Sequence, residues 1–164
     1  MTLRVGIVGC GKIADEHVFQ IRRIPDCAIV GVCDREELMA RQLSERFKIN
    51  GYYDNLDNLL EKAAPQVIHI TTPPQSHYEL GMQALEAGCH VLMEKPFVFQ
   101  AEQAVDLARI AKGKGLLLSV CYPTCFFPWV IEGRRQVRAG ALGNLLLISH
   151  MYTQRTYDLL RGDV

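Results

Sequence analysis

Short apolar runs and amphipathic stretches alternate along the chain from its third residue. Leu3 to Val8 (LRVGIV), Cys27 to Cys33 (CAIVGVC), Gln66 to Thr71 (QVIHIT), His90 to Met93 and Leu116 to Val120 have the length and near-continuous hydrophobicity of buried strands. Tyr52-Tyr53 fits a further, very short strand. Between these runs the apolar positions recur at helical spacing, over Ile13 to Ile24, Glu36 to Phe47, a segment starting at Asp54, His77 to Ala87, and Ala101 to Ala111. In the second of these, Leu38, Leu43 and Phe47 are expected on one face; in the third, Leu56, Leu59 and Leu60 are expected to point inward. Such strands separated by helices predict a mostly parallel sheet covered on both faces. Right-handed crossovers then make it a doubly wound α/β fold.

The character changes after Val120. Phe126 to Ala139 predicts another helix, with Gly140 near its C-terminal end, and Leu145 to Tyr152 (LLLISHMY) predicts a strand. The expected division is therefore one α/β domain over residues 1–122 and the beginning of an incomplete α+β domain over residues 123–164.

Charge and cysteine content narrow the function classes. Eighteen basic residues balance eighteen acidic ones, and no basic stripe marks a nucleic-acid or anionic-membrane partner. No apolar run reaches the about 20 residues needed to span a bilayer. The N-terminus lacks the features of a secretory leader, so a soluble, cytoplasmic protein is expected. Of the six cysteines (Cys10, Cys27, Cys33, Cys89, Cys121 and Cys125), several sit inside apolar runs. They are expected to be inert thiols rather than metal ligands or disulfide partners.

The first turn carries the chemistry. Gly9-Cys10-Gly11-Lys12-Ile13-Ala14 fits G-x-G-x-x-A between a strand and a helix. Gly9 permits the tight turn, Gly11 lets a pyrophosphate approach the backbone, and Ala14 allows close helix–strand packing. The helix N-terminus then offers free N–H groups to the phosphates. Asp34 ends the second strand, 25 positions after Gly9, where an acid accepts from the adenosine ribose hydroxyls. Its charge favours NAD, whereas Arg35 beside it would attract the 2′-phosphate of NADP. The expectation is a Rossmann fold that binds NAD or NADP, with NAD favoured.

Ligands of such sheets lie outside the carboxyl ends of the strands, where two more motifs fall. Thr71-Thr72-Pro73-Pro74-Gln75-Ser76-His77 forms a proline-stiffened loop able to line a cofactor. Ser76 is expected to cap the next helix, with His77 in its first turn, where the dipole favours the neutral ring; a surface histidine is the plain alternative. Glu94-Lys95-Pro96 follows the fifth strand, and a lysine there can take the hydroxyl proton that an alcohol must lose on oxidation; taken alone, an exposed lysine ahead of a helix is the plainer reading.

GIVGCGKIA, VCD, ITTPPQSH and EKP, in this order and spacing, resemble the glucose–fructose oxidoreductase / inositol dehydrogenase / MocA (Gfo/Idh/MocA) family over about residues 3 to 150. The resemblance implies an NAD(P)-dependent dehydrogenase acting on a sugar, inositol or related polyol. It implies that Gly9, Gly11, Lys12, Ile13 and Asp34 line the phosphate and ribose end of the cofactor, and that Thr72, Pro73, His77 and Glu94 flank it further along. Lys95 would then sit beside the nicotinamide and the substrate. It further implies a large C-terminal open sheet that carries a catalytic Asp and His and much of the subunit interface of a homo-oligomer. On that basis this chain is the nucleotide-binding half, and Leu145 to Tyr152 is the first strand of the second domain. Phe126-Phe127-Pro128 matches the family's Phe-x-Pro, but Pro123 and Cys125 stand where the family carries an Asn-x-Arg-like stretch. His17 and His150 are considered as stand-ins for the missing histidine and set aside. Two rival expectations are a non-catalytic dinucleotide-binding or regulatory module, and a sugar-nucleotide or flavin binder on the same fold.

Overall fold

In the computed structural model, which describes residues 1–149, the apolar runs form six parallel strands. They are β1 (Leu3–Val8), β2 (Cys27–Cys33), β3 (Tyr52–Tyr53), β4 (Val67–Ile70), β5 (His90–Met93) and β6 (Leu118–Val120). The helices are α1 (Lys12–Ile21), α2 (Glu37–Phe47), α3 (Leu56–Ala63), α4 (His77–Glu86), α5 (Ala101–Gly113) and α6 (Pro128–Arg138), with 3-10 turns at Pro74–Ser76 and Pro123–Phe126. The sheet order is β3-β2-β1-β4-β5-β6, so the winding reverses between β1 and β4. Val8 pairs with Cys33 on one side and Ile70 on the other, Ile70 with Met93, and Met93 with Val120. The strands therefore end at one level, and the loops that follow them share one rim.

Strand alternation sends side chains to two cores. Val5, Ile7 and Val32 pack with Ala14, Val18 and Ile21 of α1 and Leu43 of α2. Leu59 of α3, Ile68, Ile70, Leu85 of α4, Met93 and Leu107 of α5 fill the other face. Each such side chain, removed from water, stabilises the fold by about 1.5–3 kcal/mol before entropy is counted.

Several boundaries differ from expectation for local reasons. Helix α1 ends at Ile21 rather than Ile24, since Pro25 disfavours helical backbone at the residue before it. The third helix starts at Leu56, not Asp54; Asn55 is its N-cap, its side chain accepting from the Asn58 N–H at 2.8 Å. Leu116 closes α5 by donating its N–H to Ala111, which leaves β6 to begin at Leu118. Leu38 does not share the buried face of α2: it is five residues from Leu43, off the helical repeat, and stands in solvent while Ala40, Leu43 and Phe47 are buried.

Met1–Tyr122 forms one unit, and the chain from Pro123 forms a second. In the latter, Pro128 occupies the first turn of α6, where its missing N–H costs nothing, so the helix begins there rather than at Phe126. Leu145–Ser149 forms no strand: among the described residues nothing pairs with it, and a strand needs a ladder partner for its backbone groups. The rest of that expected strand, including His150, lies outside the described residues. Among the described residues, no helix is long and apolar enough to cross a membrane.

Candidate functional site

The rim where the strands end carries most of the residues singled out from the sequence. Gly9 has φ +96°, and a Cβ there would stand 2.7 Å from the Thr72 backbone nitrogen and 2.8 Å from the Thr71 carbonyl carbon. The first glycine is therefore needed for both its dihedral and its contact. The loop is bound to its neighbours: Gly9 N–H donates to Cys33 O at 2.8 Å, and the Thr71 hydroxyl to Gly9 O at 2.6 Å. Gly11, the N-cap of α1, differs: no atom lies within 4 Å of the place its Cβ would occupy. Among the described residues nothing accepts from the N–H groups of Gly11, Lys12 and Ile13, and the helix supplies no side-chain cap. An open approach to free amides at a helix N-terminus suits an anion.

Asp34 is built into this loop. Its Oδ2 accepts from the Cys10 N–H at 2.7 Å and its Oδ1 from the Glu36 N–H at 3.0 Å. One carboxylate thus joins the glycine loop to the end of β2, and its remaining lone pairs face outward for hydroxyl donors. Gly9, Gly11, Lys12, Ile13, Asp34, Arg35, Thr72 and Pro73 all line one crevice of about 950 Å³. Glu36, Asp54 and Asp57 line it too, so its charged walls are mostly acidic. Volume, free amides and outward carboxylate together fit a dinucleotide.

The other three expected residues do not line that crevice. His77 is not a surface residue; Ser76 stands at the N-cap of α4 as expected, but its hydroxyl makes no cap bond and lies instead 3.0 Å from Pro73 O and 2.8 Å from Thr72 Oγ1. The His77 ring is fully buried. Its Nδ1 lies 3.0 Å from the carbonyl oxygens of both Pro96 and Phe97, and its Nε2 lies 2.9 Å from Thr72 O. Backbone carbonyl oxygens thus face both ring nitrogens. His77 thereby ties the Thr72 loop to the segment after Lys95.

Glu94 is also turned inward. His17 Nε2 lies 3.1 Å from its Oε1, and its Oε2 accepts from the Lys95 N–H at 3.1 Å. Burial would raise its pKa, but hydrogen bonds from His17, the Cys121 thiol and the Lys95 N–H outweigh burial and hold it below the usual value. The Lys95 side chain is exposed at the rim. Behind Glu94, His17 Nδ1 meets His69 Nδ1 at 2.9 Å. Burial, with His17 alongside, pushes the His69 ring down to about 4.

Among the described residues, His17, Glu94 and Cys121 form the one group whose donor types could hold a metal ion, their ligand atoms lying within 4.8 Å of one another. Two of these groups, His17 and Glu94, are already hydrogen-bonded to each other. Burial and Glu94 push the Cys121 thiol up to about 11, so it keeps its proton. His69 and Cys121 were not expected at the site. The usable signals were the i, i+3, i+4, i+7 stripe Ala14, His17, Val18 and Ile21, which places a histidine on the buried face of α1, and the alternation of Val-Ile-His-Ile in β4.

A family model described as "Oxidoreductase family, NAD-binding Rossmann fold" (GFO_IDH_MocA) matches residues 3–122. The chain belongs to this family. D-glucoside 3-dehydrogenase of Escherichia coli (strain K12) is 34% identical over 144 residues, covering 87% of this chain and 41% of the relative. Among solved structures, GenD2 from gentamicin A biosynthesis, in complex with NAD, superposes with a TM-score of 0.74 at 28% identity over 86% of this chain and 38% of its own. KijD10, a 3-ketoreductase from Actinomadura kijaniata in complex with NADP and TDP-benzene, gives a TM-score of 0.77 at 28% identity over 85% of this chain and 43% of its own. The chain thus spans about two fifths of the length of these Gfo/Idh/MocA relatives.

Proposed function

We propose that the chain is the dinucleotide-binding portion of an NAD(P)-dependent dehydrogenase that acts on a sugar, inositol or related polyol. The observation that carries the reading is the crevice in which free amides at the start of α1 and the Asp34 carboxylate face one space of about 950 Å³. The amides of Gly11, Lys12 and Ile13 receive the diphosphate, and Gly9 keeps the loop against Thr72. Asp34 accepts from the adenosine ribose, while Thr72 and Pro73 form the opposite wall. His77 and Glu94 act from beneath the rim, each fixing the backbone next to Lys95. The nicotinamide, when bound, supplies the hydride acceptor or donor. Lys95 takes up or returns the proton of the substrate hydroxyl.

NAD is favoured over NADP. Asp34, Glu36, Asp54 and Asp57 line the crevice against two cations, Lys12 and Arg35, and so oppose an added 2′-phosphate. Arg35 is fully exposed and pairs loosely with Glu36 at 3.9 Å, which leaves it a weak phosphate clamp. Sugar-type substrates are supported by the relatives' names; no observation favours a non-catalytic module or a flavin binder.

The test is a titration of the purified chain with NADH and with NADPH, followed by cofactor fluorescence. Saturable NADH binding at least fivefold tighter than NADPH supports the reading. Equal affinity overturns the NAD preference, and no binding of either overturns the cofactor assignment.

A further inference from the structure

We propose that His17 is a positioning residue for Lys95, acting through the Glu94 carboxylate. The inference rests on the reading of Lys95 as the group that handles the substrate proton. A lysine side chain is long and freely rotating, so what a protein can fix is the backbone from which it leaves and the direction of its first bond. Here that backbone is held by a carboxylate from the preceding residue. Glu94 folds back so that its Oε2 accepts the Lys95 N–H at 3.1 Å.

A carboxylate can make that bond in one orientation only if its other oxygen is also committed. His17 does this, with Nε2 3.1 Å from Oε1, across 77 residues of sequence. Both partners are nearly dry, His17 at 7% and Glu94 at 8% exposure, so the pair has no water to exchange with and little freedom to turn. His17 is fixed in turn. Its Nδ1 is occupied by His69 Nδ1 at 2.9 Å, with the two rings edge to face, and this leaves Nε2 as the nitrogen presented to Glu94. The Cys121 thiol completes the surround, its sulfur within 4.8 Å of the same carboxylate.

The placement of His17 gives the contact its purpose. It lies six residues past Gly11 on α1, about 9 Å along the axis of the helix whose free N-terminal amides face the crevice. One rigid element therefore references both the anion-binding end and the lysine. A residue that only filled space at this position would be apolar, as its stripe neighbours Ala14, Val18 and Ile21 are.

Hydrogen exchange read amide by amide tests this without any cofactor. Lys95 is exposed, so its N–H should be slow to exchange only because Glu94 accepts it. In His17→Leu the Lys95 amide is expected to exchange at least tenfold faster, while the Gly9 and Cys10 amides, bonded to Cys33 and Asp34, keep their rates. His17→Gln, whose side-chain amide can donate in place of Nε2, should restore most of the protection. Should His17→Leu fail to fold, His17→Ala, which equally leaves Glu94 Oε1 without its donor, takes its place with the same tenfold expectation. An unchanged Lys95 amide in a folded variant overturns the proposal, as does equal loss at Lys95, Gly9 and Cys10, which would mark a merely structural role. Failure of the wild-type chain to bind NADH would instead sink the dehydrogenase reading and leave the Lys95 result standing.

Discussion

Gly9 and Thr72 meet across the point where the sheet reverses its winding, close enough that a methyl group on Gly9 would stand 2.7 Å from the Thr72 nitrogen. Gly9 also sits at φ +96°, which a side chain rarely tolerates. Gly9→Ala is therefore expected to cost about 2 kcal/mol or more and to weaken NADH binding at least tenfold. Urea unfolding and a fluorescence titration check the two effects. A variant as stable as the parent would show that the loop can move off Thr72 freely.

Gly11→Ala makes the opposite case. The residue has φ −74°, and nothing lies within 4 Å of the new methyl. Stability should stay within about 1 kcal/mol of the parent, because alanine restricts the unfolded chain and offsets any local cost. NADH affinity should nonetheless drop at least tenfold, since the methyl projects into the approach to the α1 amides. Unchanged affinity in the same titration would place the phosphates elsewhere.

Asp34 joins two backbone donors, those of Cys10 and Glu36, so removing its carboxylate affects loop and ligand together. Asp34→Ala should lose about 1–3 kcal/mol of stability, mainly from the partly buried Cys10 N–H left without an acceptor. It should also narrow the difference between NADH and NADPH affinities at least fivefold. A variant that keeps the full NADH preference would assign discrimination to the other acids of the crevice.

The thiols separate by burial. Burial raises the pKa of Cys10, and burial with the nearby Asp34 and Asp54 carboxylates pushes Cys33 up to about 12, so neither offers thiolate near neutral pH. Cys125 is exposed. Ellman's reagent at pH 8 should modify Cys125 within minutes, and Cys10, Cys33 and Cys89 only after unfolding. Mass spectrometry of labelled peptides reads the order, and early labelling of Cys10 would mean that the phosphate loop opens.

The parts legible in the sequence are those that depend on local rules. The order of strands and helices follows from apolar periodicity, and the Gly9, Gly11 and Asp34 fingerprint follows from what a tight turn and a phosphate need at fixed spacing. What stayed hidden are contacts made by register across the sheet. His17 reaches Glu94 only because β1, β4 and β5 lie side by side in the order 1-4-5, which brings α1, His69 and the end of β5 together. His77 was expected at a helix start, and it is there, but its ring bonds are set by the fold of the Pro96–Phe97 segment 19 and 20 residues on. The apolar run 145–149 has no ladder partner among the described residues, and hydrophobicity alone cannot supply one.

The His69–Glu94 pair of shifts predicts an acid-labile fold. His69 is held neutral in the folded chain, its pKa lowered to about 4 from an ordinary 6.5, mainly by burial and then by His17. The unfolded chain therefore binds a proton at His69 that the folded chain refuses between about pH 6.5 and 4, so stability is full above 6.5 and falls through that window. Glu94 acts in the same sense at lower pH: hydrogen bonds hold its folded pKa below the usual carboxylate value, so the folded state prefers the carboxylate and loses that preference as it is protonated. The His69 contribution is of order 3 kcal/mol across the window. Urea unfolding at pH 7.5, 5.5 and 4.5 should show a steady decline for the parent and a shallower one for His69→Gln, which has no ring to titrate. Parallel curves for the two proteins would remove His69 from the acid response and leave it to the carboxylates.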